Sequence, residues 1–152
     1  MLFKTTHGQS FELRILGYEY PQCETEEYDS NWLRVEGKVA DPRGGWEFRH
    51  PCLLTYEVSH LADWLESLAR GAASPKELTF IEPNISFRWI EATGGASLCV
   101  YFELEARPPW APFDAVEDEH YWLVFPASDL DLYAAAVALR DELRLYPQRA
   151  AL

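Results

Sequence analysis

With 152 residues, 48% of them hydrophobic and 14% aromatic, the chain has the means for one cored domain and is too apolar for a disordered segment. Twenty-five acidic residues against 13 basic ones leave a formal net charge of −12. Such a field repels phosphate backbones and anionic bilayers, which weighs against nucleic-acid and membrane-surface binding, and it attracts a basic protein.

The first segment, Met1 to His7, has no long apolar stretch of the kind a secretion signal needs. Residues 10–20 alternate, with Phe11, Leu13 and Ile15 opposed to Glu12 and Arg14, as in a half-buried strand. An acidic loop over 21–30 follows, begun by Pro21 and carrying Glu24, Glu26, Glu27 and Asp29. Residues 31–40 alternate again through Leu33, Val35 and Val39. A turn at Asp41-Pro42-Arg43-Gly44-Gly45 leads to a third strand at Trp46 and Phe48.

A helix is expected from Ser59 or a residue upstream. Val58, Leu61, Ala62, Leu65, Leu68 and Ala69 fall on one face, and Gly71 supplies the stop. Strands are expected at 77–81, 85–92 and 97–106, the last with Leu98, Val100, Phe102 and Leu104 inward. Thr93-Gly94-Gly95-Ala96 joins two of them as a hairpin turn. Residues 119–125 are apolar on both faces, which predicts a central strand. Ser128 is the expected cap of a second helix, whose buried stripe is Leu132, Ala136, Leu139, Leu143 and Tyr146, with Pro147 ending it.

Strands in runs, each closed by a helix, predict an α+β fold. The order is βββ(β)α followed by ββββα, with about 7–8 mainly antiparallel strands and two α-helices in a single domain over 1–152.

Few residues point to chemistry. Cys23, Cys52 and Cys99 are widely spaced and form no CxxC pair, which fits reduced thiols in a cytoplasmic protein better than a disulfide frame or zinc site. His7, His50, His60 and His120 have no ligand spacing, so no metal is expected. No phosphate loop, dinucleotide fingerprint or nucleophile elbow occurs, so no cofactor and no catalytic residue is assigned. His50-Pro51-Cys52 invites a Cys–His pair, but the apolar Cys52-Leu53-Leu54 run reads as buried core.

Six tryptophans leave room for another reading, a small carbohydrate-active hydrolase with a carboxylate pair beside an aromatic cleft. Trp32, Trp46, Trp64, Trp89 and Trp122 are mostly expected in the core, with Trp110 in a Pro-rich loop the least committed. A structural or oligomeric role is a third. The acidic segments Glu24, Glu26, Glu27, Asp29 and Asp114, Glu117, Asp118, Glu119 are the candidate partner-binding residues, with simple solvation of two loops as the ordinary alternative.

Several segments taken together add to this reading. They are Gly17-Tyr18-Glu19-Tyr20-Pro21, Asp29-Ser30-Asn31-Trp32-Leu33-Arg34-Val35 and Trp46-Glu47-Phe48-Arg49-His50-Pro51-Cys52-Leu53-Leu54-Thr55. Leu61-Ala62-Asp63-Trp64-Leu65, Phe80-Ile81-Glu82-Pro83-Asn84-Ile85-Ser86-Phe87 and Phe125-Pro126 before an Ala-rich helix complete the set. In this order they resemble the WapI-type bacterial immunity proteins over nearly the whole chain. The resemblance implies an intracellular antidote that binds and neutralises a toxin domain, one that attacks tRNA in the best-known pairing. It carries over no catalytic residue. It implies fold roles instead: Asn31 turning the chain into the second strand, Glu82-Pro83-Asn84 as a turn, and Trp32 and Trp64 filling the core.

Overall fold

The computed structural model describes residues 1–72, 75–111 and 121–150. Alternating side chains there build two four-stranded antiparallel sheets, each in simple sequential order. The first contains β1 (Leu2–Lys4), β2 (Ser10–Tyr18), β3 (Trp32–Asp41) and β4 (Gly44–Leu54). Helix α1 (Thr55–Ala69) follows. The second sheet contains β5 (Glu77–Leu78), β6 (Ile85–Ala92), β7 (Gly95–Phe102) and β8 (Tyr121–Pro126), and α2 (Leu132–Leu143) closes the chain. The fold is therefore α+β, in the predicted order.

The inner faces of the sheets meet through aromatic rings. Phe11 of β2 meets Phe102 of β7 edge-on at 5.2 Å, and Trp46 of β4 meets the same ring at 5.3 Å. Phe3 of β1 lies 5.8 Å from Phe125 of β8. One hydrophobic cluster runs through both sheets and both helices. The Trp46 indole N–H donates to the Ala106 carbonyl at 2.9 Å, so this wide ring is buried without leaving its polar atom unpaired.

Tight turns do what their residues require. Asp41 pairs with Gly44, and Ala92 with Gly95, across two-residue loops. Helix α1 ends as predicted: Gly71 takes φ +76°, its N–H reaches the Leu68 carbonyl, and the Ala72 N–H reaches Ser67. The expected face of α1 is buried at Val58, Leu61, Ala62, Leu65 and Leu68, while Ala69 is exposed. Arg140 of α2 ties the helices together through Asp63 at 2.8 Å and Glu66 at 2.6 Å.

Some local expectations are overturned. β8 lies at an edge, not the centre of its sheet, and its Trp122 and Val124 face outward at 49% and 44% exposure. A doubly apolar strand reads as central only if something covers both faces, and among the described residues nothing is seen to cover this outer one. Helix α1 starts at Thr55, upstream of Ser59 as the expectation allowed, where the Glu57 carboxylate accepts the Leu54 N–H at 2.9 Å and holds the first turn. Ser128 sits in a short 3-10 turn, and Asp131 caps α2 by accepting the Ala134 N–H at 2.8 Å. The strand expected over 97–106 stops at Phe102, and Leu104 turns outward at φ +47°. Only Glu77 and Leu78 of the 77–81 segment join the sheet.

Candidate functional site

The loop between β2 and β3 carries Glu24, Glu26, Glu27 and Asp29, each of them exposed. Its shape is set from beneath. Asn31 is fully buried at the loop's end. Its Nδ2 donates to the Glu27 carbonyl at 2.8 Å and to the Ala150 carbonyl at 3.3 Å. Its Oδ1 accepts the Thr55 hydroxyl at 2.8 Å and the Arg149 N–H at 3.0 Å. The Arg149 guanidinium then donates to the carbonyls of Pro21 at 2.9 Å and Cys23 at 2.8 Å, and lies 3.6 Å above the Tyr18 ring. The Ser30 hydroxyl donates to the Glu26 carbonyl. Asn31 thus does more than turn the chain: it joins the loop, the start of α1 and the C-terminal segment.

Most of the basic side chains are engaged away from this loop. Arg34, Lys38, Arg43, Arg49, Arg70, Lys76, Arg88, Arg140 and Arg144 are each committed to a carboxylate elsewhere. Arg49 beside Glu36 and Arg43 beside Asp41 hold those two carboxyls below their ordinary values. Among the described residues no basic side chain pairs with Glu24, Glu26, Glu27 or Asp29. Four exposed carboxylates are therefore carried on a loop whose backbone is anchored from beneath. Tyr20 and Tyr28 stand on the same loop, each 49% exposed.

The second predicted segment, Asp114, Glu117, Asp118 and Glu119, lies outside the described residues. Of the tryptophans, Trp46 and Trp64 are buried, Trp32 and Trp89 are half-buried, and Trp110 and Trp122 are exposed. Trp32 therefore does not fill the core as expected; it borders a cleft with Tyr20, His50 and Glu82. A wider groove of about 540 Å³ crosses the outer face of the second sheet, with Phe80, Tyr101 and Trp122 in its walls. It holds Glu77, which is tied to Arg88 at 3.1 Å. Cys52 is buried, and its thiol is pushed up to about 12 by that burial and by the field of Glu57, Glu82 and Glu105, which is the opposite of activation. Among the described residues no three His, Cys, Asp or Glu side chains gather as a metal site, and no helix is long and apolar enough to cross a membrane.

The loop is thus acidic, anchored from beneath and accompanied by exposed tyrosines. The model of the immunity protein WapI-like family matches residues 1–147. The chain belongs to the WapI-like immunity protein family. No curated protein matches the sequence. Arg149 carried no sequence signal of its role in shaping the loop, and Asn31 none of its reach to Thr55 and Arg149, because those partners are distant in the chain.

Proposed function

We propose that this chain is a cytoplasmic immunity protein, folded as one domain, that binds and neutralises a toxin domain through its acidic surface. Glu24, Glu26, Glu27 and Asp29 supply the contact, and Asp114, Glu117, Asp118 and Glu119 add a second acidic segment to it. The observation that carries this reading is the set of four exposed carboxylates on an anchored loop that form no ion pair among the described residues. Charges left unpaired in the free protein gain most when a basic partner arrives, and the anchoring lowers the ordering entropy lost on binding. A nuclease toxin fits this surface well, because its substrate groove must be basic to hold a polyanion. The antidote then works by occupying that groove and needs no chemical step of its own.

The test is binding to the toxin domain encoded beside its gene. Association is expected to be fast and to slow as salt rises. Replacing Glu24, Glu26, Glu27 and Asp29 together with lysine is expected to weaken binding by at least ~10-fold, mainly through the association rate, with an unchanged melting temperature. No binding at low salt sinks the proposal. Unchanged binding by the lysine variant moves the contact surface elsewhere.

A further inference from the structure

Glu19 and Tyr20 border two adjoining clefts. One belongs to the acidic loop and includes Pro21, Gln22, Cys23 and Asp29. The other, of about 280 Å³, is closed by Trp32, His50, Pro51 and Glu82. We propose that this second cleft receives an arginine side chain of the bound protein, its guanidinium lying against Tyr20 and Trp32 and paired with Glu82. The proposal rests on the protein-binding role argued above and specifies the chemistry of the partner.

The walls match that ligand in shape and charge. Trp32 begins β3 half-buried, and among the described residues its indole meets no other ring and its N–H has no acceptor. Tyr20 is exposed beside it. Aromatic faces with no ring partner attract a cation, and a planar guanidinium stacks on them while forking to a carboxylate, which an ammonium cannot do. Glu82 has no ion-pair partner among the described residues. Arg34, near the wall, is already engaged, since it holds Glu19 at 3.0 Å, and the His50 imidazole lies 3.7 Å from Glu105. Behind the wall the field is negative, since Glu57, Glu82 and Glu105 all act to raise the buried Cys52 thiol. Arginine and tyrosine are also the residue types that carry most binding energy in protein interfaces.

The full-length protein, labelled with ¹⁵N, is titrated with acetyl-Gly-Arg-Gly-amide and with the same peptide carrying citrulline, the neutral isostere of arginine. The arginine peptide is expected to move the Trp32 indole N–H resonance saturably. The citrulline peptide, or the Glu82→Gln protein with the arginine peptide, is expected to bind about 10-fold more weakly, as befits one lost charge-assisted contact. Equal binding of both peptides, equal binding by Glu82→Gln, or no shift at Trp32 overturns the proposal. The two readings fail separately. A toxin domain that binds wild type and Glu82→Gln with equal Kd removes the arginine slot and leaves the binding role intact. Capture of the arginine peptide by a protein that binds no toxin domain removes the role and keeps the slot.

Discussion

Replacing Asn31 with alanine removes five side-chain hydrogen bonds at once: to the carbonyls of Glu27 and Ala150, to the Ser30 hydroxyl at a long and weak 3.4 Å, and from the Thr55 hydroxyl and the Arg149 N–H. They are not equal in value. Glu27, Ala150 and Arg149 lie at part-buried positions where water replaces the lost partner, so each is worth about 0.5 kcal/mol. Thr55 is 2% exposed, and its hydroxyl is left facing a dry hole, at a cost of about 1–2 kcal/mol. The sum is about 3 kcal/mol, or a drop of roughly 6–12 °C in Tm for a domain of this size. Urea denaturation measures it, read at constant m so that the midpoint shift reports stability. Thr55→Val combined with Asn31→Ala is expected to cost about 1 kcal/mol less than the two single changes added, because the orphaned hydroxyl is gone. Hydrogen exchange across residues 20–31 is expected to speed up in Asn31→Ala, since the loop loses its anchor. A loss below about 1 kcal/mol with strict additivity would refute the view of Asn31 as the hub of this network.

Two further predictions concern buried titratable groups. Burial pushes the Glu57 carboxyl above its ordinary value of 4.5, against the lowering effect of its bonds from the Ile81 and Leu54 N–H groups. The folded protein therefore holds this proton more tightly than the unfolded chain. The resulting stability is fully present below 4.5 and is lost as pH rises through the folded pKa. The stability of wild type relative to Glu57→Gln is then expected to grow as pH falls from about 7 toward 4.5, while Glu36 and Asp41, held low by arginines, lose their contribution on acidification in both proteins. Urea melts over that range check it, and a pH-independent difference between the two proteins refutes it. The thiols are expected to differ in the same physical way: half-exposed Cys23 reacts with a disulfide reagent in the native protein, whereas Cys52, buried and pushed up to about 12, reacts only on unfolding. Fast native labelling of Cys52, read by mass spectrometry, contradicts the packing described for β4.

Side-chain periodicity was enough to place both helices, most strands and the antiparallel α+β order, because each element's buried face repeats along its own residues: Phe11, Leu13 and Ile15 in β2, or Leu61, Leu65 and Leu68 in α1. Glycine stops were equally legible, as Gly71 shows, since the left-handed backbone is a local property. The charge balance pointed to a basic partner, and the acidic loop could be marked out residue by residue. Tertiary structure alone decided the rest. Periodicity says that a strand has an apolar face but not which strand lies beside it, so β8 was read as central when it is an edge. Nor does a local pattern show that Arg149, 118 residues further along the chain, would lock Asn31 and the acidic loop into shape. The meeting of Tyr20, Trp32, His50 and Glu82 around one cleft is of the same kind. Such contacts arise where folding brings distant segments together, and their residue types, taken singly, look like ordinary surface or turn positions.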